Sequence, residues 1–129
     1  MSHYKTFEEM EIYVLARKLS NDVWDLIVST PLGNDFKLRD QINASSGSVV
    51  DNIAEGFGRG GNREFINFLS YSRGSCLETR SQIIRAYDRR HISSEAYQEL
   101  YDATLNLENQ ISRFMNYLRI STKKGSKFD

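Results

Sequence analysis

Proline is almost missing from this sequence: one residue, Pro31, in 129. Proline breaks helices and strands alike, so long uninterrupted elements are permitted on both sides of it. Histidine is nearly as scarce, at His3 and His91. Metal sites inside helical bundles draw on several inward carboxylates and histidines, often as Glu-x-x-His pairs, and the chain has no such pair. The similar step Asp88-Arg-Arg-His91 occurs once and reads as a surface cap on a last helical turn. No metal or other cofactor is expected. One cysteine, Cys76, excludes an internal disulfide and fits a reducing cytoplasm. No run of 18 apolar residues exists, so no membrane span is expected. The opening residues, MSHYKTFEEMEIY, lack the basic and then apolar pattern of a signal peptide.

Net charge is also missing, with 17 basic and 17 acidic side chains. The balance conceals blocks. Residues 1–58 carry five Lys/Arg against nine Asp/Glu, and residues 59–91 carry seven against three. Residues 92–112 hold four acids and no Lys or Arg, while residues 113–129 hold five bases and one acid. A neutral whole built from charged blocks points to solvated helix faces or complementary surfaces, rather than to a general nucleic-acid sponge.

What is present is helical periodicity. Thr6 and Glu9 form a capping-box pair, and Ile12, Ala16, Leu19, Val23 and Leu26 then repeat at helical spacing. The breaker STPLGN ends that run, and Asn34 can cap a second helix with Leu38, Ile42, Ser45, Val49 and Asn52 or Ile53 on its inner face. Its centre, ASSGS, is all small, which suits close approach by another backbone but costs helix propensity. After a glycine run, Asn62 can cap a third helix whose stripe is Phe65, Leu69, Ser72, Cys76, Thr79, Ile83 and Ala86. Phe68, Ile84 and Tyr87 make a second apolar stripe, so this helix is central or meets another subunit. Ser93 can cap a fourth, with Tyr97, Leu100, Thr104, Leu107, Ile111, Phe114 and Leu118 in 3-4 spacing. The pattern predicts a single all-α domain over residues 1–129: an antiparallel, up-down-up-down four-helix bundle. Its helices fall at about 7–29, 35–57, 62–90 and 94–121, with a flexible basic tail at 122–129.

Gly56 to Gly61, GFGRGG, match G-x-G-x-x-G letter for letter. A dinucleotide fingerprint needs a strand before the glycines and a helix after them. The preceding SVVDNIAE continues a helical pattern, and the lysine of a P-loop is absent. The glycines therefore read as a turn, with Gly56 or Gly58 free to take a left-handed conformation at a helix end. Free N–H groups at the start of the third helix, beside Arg59 and Arg63, remain able to attract an anion. Cys76, on a core stripe, reads as an inert buried thiol. Ser48, Ser75, Glu55 and Glu78 could be drawn as an acid–base cluster but lack a histidine, and read as polar groups bonded across close helix crossings. Trp24 and the seven tyrosines mostly fall at core or seam spacing and read as packing. The candidates for nucleic-acid contact are Arg59, Arg63, Arg73 and Arg80, with Lys123, Lys124 and Lys127 of the tail, all suited to phosphates rather than base edges.

Several short blocks carry a resemblance. Leu38-x-x-Gln41, Ser48-Val49-x-x-Asn52-Ile53-Ala54-Glu55-Gly56-Phe57-Gly58-Arg59, Phe65-x-x-Phe68-Leu69 and Gly74-Ser75-x-x-Glu78 resemble the bacterial 23S rRNA-intervening-sequence proteins, over roughly Phe7 to Leu118. The resemblance implies a small antiparallel bundle assembled as a cyclic homopentamer, with no known enzymatic activity. The family is similar to the accessory protein of diversity-generating retroelements, a pentameric barrel that binds a reverse transcriptase and nucleic acid. This chain departs from the pattern at Val50, where the family often has proline, and in being neutral where the retroelement relative is basic. The motif residues Ser48, Asn52, Glu55, Gly56, Gly74, Ser75 and Glu78 are implied to be structural, with Asn52 and Glu55 satisfying groups near the glycine turn and Gly74 allowing a close helix crossing. The expectation is a non-enzymatic, cytoplasmic, self-associating bundle. It either binds RNA or DNA as an accessory module or serves as a scaffold whose ring binds another protein.

Overall fold

The computed structural model describes residues 4–123, with side chains through Ser121. Its elements are α1 (Glu11–Ser29), α2 (Phe36–Phe57), α3 (Asn62–Asp88) and α4 (Ser94–Lys123). Two single turns of 3-10 helix, Phe7–Glu9 and Pro31–Asn34, precede α1 and α2. No strand occurs among the described residues.

Local chemistry sets the ends. The Thr6/Glu9 capping box forms, but it closes only the first 3-10 turn. Met10 then runs extended and buries its side chain, so α1 begins at Glu11 rather than at residue 7. Asn34 belongs to the second 3-10 turn, and the cap of α2 is Asp35, whose Oδ1 accepts from Leu38 N at 3.5 Å. α3 is preceded by Gly61, and Asn62 is its first residue. The Asn62 side chain turns inward and donates to Leu118 O at 3.5 Å instead of capping. Ser93 caps α4 through Ala96 N. α3 stops at Asp88 in a Schellman arrangement: His91 N donates to Ala86 O and Arg90 N to Tyr87 O, with Arg90 left-handed at φ 62°.

The main packing contacts run α1–α2, α2–α3, α3–α4 and α4–α1, around one core. That core holds Ile12, Ala16, Leu19, Val23 and Ile27 of α1, and Leu38, Ile42, Val49 and Ile53 of α2. α3 adds Phe65, Leu69, Cys76, Ile83 and Ala86, and α4 adds Leu100, Leu107, Ile111, Met115 and Leu118. Ile27, not Leu26, completes the α1 stripe, and Met115 takes the buried place expected of Phe114.

α2 and α3 share the closest seam. Ser45 meets Thr79, Ser48 meets Ser75, Val49 meets Ser72, and Gly56 meets Phe65 and Phe68. A Cβ on Gly56 would stand 2.7 Å from Phe68 Cβ and 2.9 Å from Phe65 Cδ1, so glycine is required by proximity. The left-handed turn residue expected at Gly56 or Gly58 is instead Gly60, at φ 85°. Gly74 corrects a second expectation. A Cβ there meets nothing within 4 Å, so it mediates no helix crossing within the chain.

The two glycines should therefore respond oppositely to alanine. Gly56→Ala is expected to destabilise by about 1–3 kcal/mol through overpacking against α3. Gly74→Ala is expected to stabilise by about 0.5–1 kcal/mol through helix propensity. Urea unfolding of both variants checks this, and a loss of stability in Gly74→Ala would overturn the open-space reading.

Candidate functional site

Of the motif residues, Ser48, Gly56 and Ser75 lie on the α2–α3 seam, where α2 is built of small side chains, whereas Glu55, Gly74 and Glu78 are exposed. Ser45 Oγ lies 2.8 Å from Thr79 Oγ1 and donates to Gln82 Oε1 at 2.5 Å. One turn on, Ser75 Oγ donates to Ser48 Oγ at 3.0 Å. Asn52 Nδ2 donates to Ser48 O at 2.8 Å and Ser48 Oγ at 2.9 Å, so the Asn52 amide turns back along α2 and does not serve the glycine turn. Ser72 Oγ reaches Val49 O at 2.7 Å. No buried side-chain nitrogen or oxygen is left without a partner among the described residues. A buried hydroxyl without a partner costs about 1–3 kcal/mol, so the ladder fixes the register of two helices that apolar contact alone would let slide. Ser48 and Ser75 belong to this ladder and face no base. Glu55 pairs with Arg59 at 3.0 Å, and Glu78 is exposed.

The glycine run is a helix–helix turn. α2 precedes it, Gly58 closes α2 through Ala54 O and Glu55 O, and Gly60 reverses the chain into α3. No strand leads into it, so the frame of a dinucleotide site is missing.

The four candidate arginines divide. Arg59 and Arg63 stand exposed at this turn, Arg59 held by Glu55 and lying over the Phe68 ring at 4.9 Å. Arg73 and Arg80 turn toward α4. Arg73 donates to Ser112 Oγ at 3.1 Å. Arg80 forms an ion pair with Glu108 and lies 5.6 Å over Tyr101, with only 11% of its side chain exposed. Its charge is matched inside the fold. Lys124 and Lys127 lie outside the described residues, as does the side chain of Lys123.

A polar cluster not read from the sequence joins the start of α2 to the α3–α4 turn. Asp35 Oδ2 accepts from Arg89 Nη1 at 2.8 Å and lies 3.0 Å from His91 Nε2, while Oδ1 caps α2. His91 was expected to cap a helix end, and it clamps two elements instead. The bonds from His91 and then Arg89 hold the Asp35 carboxyl below its ordinary value. Cys76 is buried, donates to Thr104 O at 3.3 Å, and is pushed up to about 12 by that burial. Such a thiol is no nucleophile at neutral pH. Among the described residues no group of three or more His, Cys, Asp or Glu could hold a metal ion, and no helix is long and apolar enough to cross a membrane. Trp24, expected to pack inside, is half exposed.

Residues 8–113 match the model of the 23S rRNA-intervening sequence protein family. The chain belongs to that family. A solved structure from Bacteroides thetaiotaomicron, of a protein of unknown function in the S23 ribosomal protein family, superposes with a TM-score of 0.73 at 19% identity. The match covers 81% of this chain and 97% of that one. At that identity the likeness speaks to the fold. No curated protein matches the chain.

Two outcomes follow from the site. Cys76 should resist thiol reagents in the native protein and label only at the rate of opening, so fast native labelling would contradict its burial. For Asp35 the folded carboxyl titrates below its unfolded counterpart. Its contribution is present above the unfolded value and disappears as pH falls through the folded one. The stability gap between the wild type and Asp35→Asn should thus be full near neutral pH and close in acid, and a gap that widens in acid would refute the clamp.

Proposed function

We propose that this family member is a non-enzymatic, cytoplasmic, self-associating antiparallel four-helix bundle that acts as an interaction module. The partner numbers across the α2–α3 seam fall as the chain rises, from 45 with 79 to 56 with 65, which supports the antiparallel sense. The observation that carries self-association is on α3. Beside its buried stripe, it leaves Leu77 and Ile84 exposed, as a helix does when it meets a second surface, while the partly exposed Tyr87 stacks on Tyr97 of α4 at 4.3 Å. Five copies in a cyclic ring is the assembly that the resemblance supports. The absence of enzymatic chemistry rests on how the reactive groups are engaged: Cys76 is buried and protonated, and the Asp35 and His91 pair is consumed in a structural clamp. A single buried free thiol supports the cytoplasm.

Phosphate contact is the second reading, and it belongs to the α2–α3 turn. Arg59 and Arg63 are exposed there, whereas Arg73 and Arg80 are engaged with α4. Nucleic acid would then meet the end of the bundle.

Native mass spectrometry tests the first reading. The expected mass is five times the 14.9 kDa chain, and a lone monomer at micromolar concentration would overturn it. For the second, anisotropy of labelled RNA and duplex DNA across a salt series is decisive. The double variant Arg59→Glu, Arg63→Glu should reduce the log–log salt slope on duplex by about 2. No binding by the wild type at low salt would leave the scaffold role alone.

A further inference from the structure

Of the four seams between neighbouring helices, the one between α1 and α4 is the most loosely closed. Two grooves open along it. The first, of ≈ 180 Å³, lies between the C-terminal half of α1 and the first turns of α4. The buried Leu100 and the half-buried Leu26 and Ala96 form its floor, and Asp22, Asp25 and Glu99 supply carboxylates at its rim. The second, of ≈ 240 Å³, near the other end of the seam, holds both Glu11 and Arg113 and so has no single sign. The acid of the first groove is only partly matched inside the fold. Lys18 pairs with Asp22 at 2.6 Å, but no hydrogen bond or ion pair engages the carboxylates of Asp25 and Glu99 among the described residues. Helix dipoles do not account for them either. Glu95 sits in the first turn of α4, where a carboxylate is favoured, but Glu99 lies beyond that turn. Asp25 lies near the C-terminal end of α1, where a carboxylate is disfavoured, and the last turn of α1 holds no basic residue. The field at the mouth of the groove is felt by Lys18. Its ammonium is held above the ordinary lysine value by the hydrogen bond and then the charge of Asp22, with Glu99 adding in the same direction.

We infer that this groove receives a basic segment of another protein, with one lysine or arginine side chain laid along Leu26, Ala96 and Leu100 and its charge set beside Asp25 and Glu99. This deepens the interaction-module part of the proposed function and rests on it, but it does not depend on how many copies assemble. The occupant follows from the lining. Lysine and arginine carry a long apolar stem and a cationic head, and the groove offers an apolar floor under an acidic rim. Its volume admits a single long side chain rather than a helix. A purely apolar side chain would take Asp25 and Glu99 out of water without giving them a partner. A phosphate backbone would be repelled. A metal ion finds too few ligands, since among the described residues no group of three or more His, Cys, Asp or Glu could hold one. Further acids extend the rim. Glu95 and Asp102 stand four before and three after Glu99, on the same face of α4, and each accepts from an uncharged donor, Ser94 and Gln98. A segment with several basic residues is thus drawn to this side of the bundle, and salt weakens the attraction.

Fluorescence anisotropy of the full chain with a labelled synthetic peptide of leucine and lysine tests this, against the same peptide with glutamate in place of lysine. The wild type should bind the lysine peptide and not the glutamate one. Asp25→Asn combined with Glu99→Gln should weaken binding about tenfold. Ala96→Leu, which fills the floor without changing charge, should weaken it as well. Asp51→Asn combined with Glu78→Gln removes the same charge from exposed positions on α2 and α3 and should leave binding unchanged. Circular dichroism and melting confirm that each variant folds. No binding at low salt, an equal loss in the Asp51 and Glu78 control, or unchanged binding by Ala96→Leu overturns the groove. So does an altered assembly mass in the Asp25 and Glu99 variant, which would assign the groove to a contact between copies. Native mass of the wild type judges the wider reading separately. If the groove fails while the wild type still self-associates, that reading stands, and a monomer that binds the peptide as expected overturns self-association alone.

Discussion

Along the α2–α3 seam two backbones approach as closely as a glycine permits, and the rest of the structure is arranged around that contact. Gly56 sits against Phe65 and Phe68 at one end, and Ser45, Thr79 and Gln82 share hydrogen bonds further along. Small side chains make the approach possible, yet they bury little apolar area and weaken α2 as a helix. The hydroxyl ladder answers both costs. Each bond contributes about 1 kcal/mol net, and the larger effect is negative: any slip of register would strand several buried hydroxyls at once. The five core apolar residues of α1 and the five of α4 then cover a pair of helices whose alignment is already fixed.

The helices were legible because periodicity reports burial directly. The seven stripe positions of α3, from Phe65 to Ala86, are all buried. Sequence pattern and structure part where one residue type serves several purposes. Asn34 and Asp35 are both good caps, and the choice depended on the 3-10 turn that Pro31 initiates. Gly74 looked like a crossing point because glycine inside a helix usually marks close approach, but its Cβ direction points away from the other helices. The Asp35, Arg89 and His91 clamp joins residues more than fifty positions apart, and no spacing rule reaches across a turn between helices. Trp24 departs from its expected place for a different reason. Its spacing lies near the α1 stripe, but one step of helical rotation separates the core from the surface there.

The charge blocks have a partly internal explanation. Opposite charges in the 59–91 and 92–112 blocks meet when α3 packs on α4, and the Arg80 and Glu108 pair is that meeting. Arg89 and Asp35 join the basic block to the first acidic one in the same way. A chain can thus be neutral overall, strongly blocked along its length, and still present little excess charge outside. Half of the arginines that suggested phosphate binding are engaged with α4, and the remaining pair, Arg59 and Arg63, sits at a bundle end. Of the four, the two left exposed therefore stand at the α2–α3 turn and not on the α3 face toward α4.

That division bears on how one fold could serve different partners. The turn at residues 58–61 is free of core packing apart from its helix-closing bonds, so its charge can vary without disturbing the seam. The exposed apolar side chains are different, since Trp24, Val28 and Leu105 add nothing to the core and would cost solubility in an isolated chain.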